Sequence, residues 1–361
     1  MGHHLGEQAS IPTSGARAVE SFELDGMRLL AIPQFAYDVP GEPAGLHGGD
    51  SETDLLLLRR GEHGYQRWQT LPAPGGEDAE FFRIGDRAFL AVASIRGGRG
   101  PYPFDVDSSI FEWNGDRFEP FQAIAGFAAK QWRHFEFDGR HFLALAQGLA
   151  QPGLEQDNQP SRIYHWNGTK FEHFQDIPSQ WAYNWHAFSV DGHQFLAHAD
   201  HLSPSVLYRW TGEEFAPYQD LVPSQGRAFA HFTDQGRLFL VVARLLEESV
   251  LLRWDGRRFV EHQTLAGLGG RELAVFEDES GLYVARVNFL TGSPADPTVD
   301  LASQLYRWQD DALVLVEEFP TTGGTDVAVI RDDEGVLLAV TNGLSADLRF
   351  AAHTVLYRFT G

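Results

Sequence analysis

The feature that most constrains this chain is a motif repeated seven times along its length. Each copy begins with an apolar or aromatic anchor, passes a short turn containing Gly, and continues as an alternating strand. The anchors are Phe22, Phe82, Phe135, Phe188, Phe232, Phe276 and Ile330, spaced 44 to 60 residues apart. Their turns are Asp25-Gly26, Gly85-Asp86, Asp138-Gly139, Asp191-Gly192, Gln235-Gly236, Ser280-Gly281 and Glu334-Gly335. Asp-Gly between two alternating runs is a strong hairpin signal, because Gly accepts positive φ at no steric cost. After a variable loop comes a third strand, usually ending in Trp and a tight turn, as at Trp113, Trp166, Trp210 and Trp254. A fourth strand ends in Gln, as at Gln122, Gln175, Gln219 and Gln263. Four short antiparallel strands per repeat of about 50 residues are the pattern of a propeller blade. A single blade cannot bury both its faces, so neighbours must stack around an axis.

The fold class expected is therefore all-β, a seven-bladed β-propeller of four-stranded antiparallel blades in one domain spanning 1–361. The blades fall at about 13–72, 73–125, 126–178, 179–222, 223–266, 267–320 and 321–361. The last repeat stops at its third strand, Leu356 to Phe359, while Gly6 to Pro12 resembles Phe174 to Pro178. Residues 5–12 are thus expected to add the missing outer strand, closing the ring and removing an open sheet edge.

Composition narrows the function classes. A hydrophobic content of 43% supports a large core. The formal net charge of −22, with no basic run, argues against nucleic-acid binding. The absence of cysteine removes disulfides, thiolate nucleophiles and Cys-based zinc or iron–sulfur sites. No apolar run reaches the length of a membrane span, and Met1 to Pro12 lacks the pattern of a signal peptide. The expectation is a cytoplasmic monomer without membrane or nucleic-acid partners and without an organic cofactor.

In a propeller the innermost strand lines the channel, here the strand leading into each anchor. Four residues before the anchors stand Ala18, Asp78, Gln131, Asn184, Ala228, Glu272 and Asp326. Two residues before them stand Glu20, Glu80, Arg133, His186, Ala230, Ala274 and Ala328. Alternation places both columns on one side of the strand. Asp78, Glu80, Glu20 and Asp326 are the candidate metal ligands, hard oxygens of the kind calcium takes; the alternative is solvated channel carboxylates. The second strand ends in a polar column, Gln34, Ser94, Gln147, Asp200, Arg244, Asn288 and Asn342. These residues either bind loop backbone at the rim or ring a pocket mouth on the loop side. The loops beyond them are long in blades 1, 2, 3, 6 and 7 and short in blades 4 and 5, which predicts a one-sided cleft.

Histidines gather near that gap. His186, His198, Asp200 and His231 are candidate catalytic residues, because His titrates near neutrality and a carboxylate can fix its tautomer. The alternative is ordinary rim and core histidines. Arg133, His134, Gln147, Arg244, Trp185, Asn288 and Asn342 are candidate ligand-binding groups. Trp132, Trp181 and Trp185 cluster at the entrance between blades 3 and 4. There they either stack on a ligand or pack between blades.

The run from Phe135 to Ala144, with Ile163 to Gly168 and Phe171 to Pro178, resembles the EPTP repeat, also called the epitempin or EAR repeat. The resemblance extends over nearly the whole chain. It implies a seven-bladed propeller, and its best-known members are secreted or cell-surface animal proteins that bind protein partners. Some hold calcium in the central channel. Fold does not dictate function. Two readings stay open: a module binding a small ligand or protein at its loop-side face and channel, with calcium as a candidate ion, and a cofactor-independent cyclase, isomerase or hydrolase.

Overall fold

The computed structural model describes residues 4–154 and 156–361. They form seven four-stranded antiparallel sheets and one small two-stranded ribbon, with no helix long and apolar enough to cross a membrane. In blade 2, for example, the order from axis to rim is Gly76–Ile84, Arg87–Ser94, Asp107–Trp113 and Phe118–Ala125. The other blades repeat this order, and their inner strands neighbour one another in a closed ring.

The last sheet is completed by the N-terminus. Leu5–Ser14 pairs antiparallel with Ala351–Phe359, from Leu5 opposite Phe359 to Ser14 opposite Ala351. The ring therefore closes by a strand, as the truncated seventh repeat requires.

The predicted inner hairpins form. Asp25 and Gly26 have φ of 49° and 75°, and Asp138-Gly139, Asp191-Gly192 and Gln235-Gly236 repeat the pattern. Two consecutive positive φ values match the right-handed twist of the flanking strands. The turn aspartates do a second job. Asp25, Asp138 and Asp191 accept the indole N–H of Trp113, Trp210 and Trp254, each from the third strand of the following blade.

Apolar burial is divided among the seams. Seven hydrophobic clusters lie between successive blades, such as Phe82, Phe89, Trp132, Leu143 and Phe171 between blades 2 and 3. The other six occupy the remaining seams, the one between blades 7 and 1 included. The recurrent Gln closes the outer part of these seams. Gln122 donates to the Phe171 carbonyl at 2.8 Å and accepts from its amide at 3.0 Å. Gln69, Gln175, Gln219 and Gln263 bond the next blade the same way, on Phe118, Phe215, Phe259 and Leu313. At the seam between blades 6 and 7 Glu317 takes this position and accepts the amides of His4 and Leu5.

Candidate functional site: the central channel

The inner strands enclose a cavity of about 400 Å³ along the axis. Its lining is arranged in tiers. Nearest the loops are Arg17, Glu77, Lys130, Arg271 and Thr325. Next come Asp78, Gln131, Asn184, Glu272 and Asp326, then Glu20, Glu80, Arg133 and His186. The last tier includes Ser21, His231, Val275 and Val329.

The first tier lies five residues before the anchors, a column that strict alternation points away from the axis. The backbone explains the difference. In blade 2, Gly76 pairs with Ser94 but Asp78 pairs with Ala93, leaving Glu77 as an extra residue. The same register slip occurs at Arg227, Arg271 and Thr325. Such a β-bulge re-aims the side chain of the unpaired residue. Close packing at the strand's entry accompanies it: a Cβ on Gly76 would lie 2.9 Å from the Pro33 Cβ.

Burial runs along the axis. Arg17, Glu77 and Arg271 retain 6–8% exposure, whereas the Arg133 side chain retains 37%. His186 and His231 are also partly exposed. The loop side is the sealed end. There Phe35, Ile95, Phe127, Leu149, Leu290, Leu344 and Phe350 pack as an eighth apolar cluster. The Arg17 guanidinium lies 4.2 Å from the centre of the Phe35 ring. The channel therefore becomes more open toward the hairpin-turn side, not toward the loop face where a pocket mouth was expected.

The channel carboxylates are tied to backbone. The inner strand of each blade has a free edge, and its unpaired amides need acceptors. Asp78 accepts from Trp132 N at 2.8 Å, and Glu80 accepts from His134 N at 2.9 Å. Gln131 accepts from Trp185 N at 2.6 Å, and Asp326 accepts from Val19 N at 2.7 Å. In each case a polar side chain of one blade caps the edge of the next. Glu272 instead accepts from the Asn184 amide at 2.7 Å, across the channel.

Burial and then the charge of Glu80 push Glu20 and Asp78 well above the usual carboxylate range. Burial, then Asp326, raises Glu272 to about 8, and burial raises Asp326 to about 6. Arg133 offsets part of this repulsion, with its Nη1 3.1 Å from Glu80 Oε2. The donor types at Glu20, Asp78, Glu80 and Asp326 are those of a calcium site. Yet a guanidinium stands among them, and among the described residues no three His, Asp or Glu side chains converge to hold a metal. As placed, these residues do not fit the ion.

The candidate histidines separate into three environments. His186 and His231 meet in the channel, with Nε2 to Nδ1 at 2.7 Å. His198 is not with them; it is fully buried, packs against the Trp185 ring and contacts the Ser161 hydroxyl at 3.0 Å. Asp200 is a loop cap that accepts from the amides of Gln180, Trp181, Leu202 and Ser203. The four proposed catalytic residues are thus not one group. His134 stacks on Phe82 and bonds His141. Trp132 and Trp185 are seam residues with no more than 1% exposure.

The polar column at the end of the second strand binds loop backbone. Gln147 accepts from Phe127 N and donates to Pro160 O; Asn342 accepts from Thr322 N and donates to His353 O. Arg244 donates to Ser224 O and Asn288 to Ala302 O. These residues hold the loops rather than ring a mouth.

The EPTP domain model matches residues 65–114, 117–167, 170–211 and 214–255, together just over half of the chain. The chain belongs to the EPTP domain family. Each matched EPTP segment runs from the outer strand of one blade through the third strand of the next, so the sequence repeat is offset from the blade. Two curated relatives are the human and mouse "Thrombospondin-type laminin G domain and EAR repeat-containing protein". The human protein is 35% identical over 143 residues, 38% of this chain and 20% of its own length. The mouse protein is 28% identical over 168 residues, 45% of this chain and 24% of its own. This chain thus aligns with only a fifth to a quarter of those relatives. Among solved structures, the periplasmic gluconolactonase PpgL of Pseudomonas aeruginosa superposes with a TM-score of 0.56. It covers 88% of this chain and 95% of its own, at 16% identity, a likeness of fold alone.

Proposed function

We propose that this EPTP propeller is a binding module that holds a small polar ligand in its central channel. The cavity carries the reading: about 400 Å³, lined by more polar than apolar residues of the inner strands, ten of them charged. That volume lies within the range of small-molecule sites. The loop face offers a second surface, for a protein partner. Leu202, Leu246 and Leu268, on the low side above blades 4 and 5, are 38–47% exposed. A cytoplasmic location is part of the same proposal.

Acid–base catalysis is the second reading, favoured by the His186–His231 pair in the same cavity. Burial holds His186 well below its ordinary value and also lowers His231, so a neutral imidazole is available as a base. The fold shared with a gluconolactonase is compatible with this reading and supplies no residues for it.

A channel filled by Ala230→Trp tests whether the channel is the binding site. A library of small polar metabolites is screened by native mass spectrometry against the parent and this variant. The expected result is at least one compound retained by the parent and lost by the folded variant. Binding that Ala230→Trp leaves unchanged, or no binding at all, overturns the channel reading. Turnover of a bound compound that His186→Gln abolishes selects the enzyme.

A further inference from the structure

The sealed end of the channel holds four cationic side chains and one carboxylate. Arg17, Lys130 and Arg271 come from blades 1, 3 and 6 and line the cavity. Arg227 of blade 5 adds a fourth cation, 3.5 Å from the centre of the Tyr183 ring. Against these stands Glu77. Its Oε1 lies 3.8 Å from Arg17 Nε and 3.9 Å from Lys130 Nζ, and its Oε2 lies 3.7 Å from Arg271 Nη2. Those separations allow Coulomb attraction but are too long for direct hydrogen bonds. All five side chains are in residues at least nine-tenths buried.

Two of the four cations also keep unspent donors. Arg17 Nε, and Nε and Nη1 of Arg227, are buried without a hydrogen-bond partner. Guanidinium donors left in this state are expensive, and a native site that keeps them calls for an acceptor. The chain has two lysines in all, Lys130 and Lys170, and one of them is buried here. Three cations lining the closed end of a channel, with Arg227 close behind them, form a built site for negative charge in a chain of net charge −22.

We propose that the loop-side end of the channel is an oxyanion site. It takes the carboxylate or phosphate head of a small hydroxylated acid, with Arg17, Lys130 and Arg271 as donors. This rests on the channel-binding reading above and names the class of ligand. Asp78, Gln131, Asn184 and Glu272 lie one tier below, where hydroxyl groups of the ligand body would find partners. The same tier disfavours a second anionic group. Glu77 sits where it competes with the ligand head for the three cations.

The test is calorimetry at constant ionic strength with inorganic phosphate, gluconate and, as the neutral counterpart, glucose. Phosphate and gluconate are expected to bind, with glucose at least tenfold weaker. Arg271→Gln should weaken both anions at least tenfold. Glu77→Gln should tighten them by a similar factor, a gain that a purely structural ring of charges does not give. Glucose binding as well as gluconate, with both lost in Ala230→Trp, leaves the channel reading standing and removes the anion site. Anion binding indifferent to Arg271→Gln and Glu77→Gln also overturns it. Should either variant fail to fold, parent crystals soaked in bromide decide: an anomalous peak among Arg17, Lys130 and Arg271 supports the site, and its absence overturns it.

Discussion

Asp78 in blade 2 accepts a 2.8 Å hydrogen bond from the backbone amide of Trp132 in blade 3. The carboxylate is therefore a cap for an inner-strand edge before it is anything else. Asn in its place keeps an acceptor oxygen and cannot carry a buried charge, whereas Ala leaves the amide without its partner. Asp78→Ala is expected to lower stability by about 1–3 kcal/mol, and Asp78→Asn to cost less or to stabilise. Urea unfolding of the two variants checks the order; equal losses would show that the cap contributes nothing.

Arg133 decides what the carboxylates can hold. Its guanidinium, 3.1 Å from Glu80, supplies the positive charge that a calcium ion would bring. The expected calorimetry is little heat from calcium with the parent and a clear binding isotherm with Arg133→Met, lost again when Asp78→Asn is added. A strong parent isotherm that Asp78→Asn abolishes would place calcium in the channel and show that Arg133 moves aside.

The repeat architecture was legible because it rests on local chemistry. Asp-Gly turns, seam aromatics and the strand-four Gln each recur at a fixed place, and each has the contact its type suggests. The cation tier was not legible from alternation. A bulge at Glu77, Arg227, Arg271 and Thr325 shifts the period by one residue, and period-two reading carries those side chains to the wrong side. A cue was nonetheless present: Arg17, Glu77, Lys130, Arg227 and Arg271 recur at one offset from the anchors, next to a column of Gly and Ala. The catalytic grouping failed for a related reason. His198 sits on the second strand facing a seam, and nearness in the text to Asp200 says nothing about a shared cavity.

Two sets of buried groups give stability opposite dependences on pH. Glu272, raised to about 8, and Asp326, raised to about 6, bind protons more tightly in the folded state. Their contribution is complete below the unfolded carboxylate values and is lost as pH rises through the folded ones. His198 and His134 are lowered to about 4 and about 3, chiefly by burial. Their contribution is present above the ordinary His value and is lost as pH falls toward the folded ones. Stability should decline on both sides of a maximum near pH 5–7. Glu272→Gln should flatten the alkaline limb and leave the acid limb, as read from urea midpoints between pH 4 and 9. An unchanged alkaline limb would assign it to other groups.

Closure by Leu5–Ser14 makes the last blade depend on a strand from the opposite end of the chain. Its loss exposes the edge of Ala351–Phe359, and Glu317 loses the His4 and Leu5 amides. An open edge is a template for pairing with another chain. Deletion through Ser14 is therefore expected to lower the unfolding midpoint and to promote self-association, visible as dimers or larger species by size-exclusion chromatography with light scattering. A synthetic peptide of residues 4–14, added in trans, should occupy the edge and return the truncated protein to the size of the parent. Association that persists at saturating peptide would mean that the exposed edge is not what joins the chains.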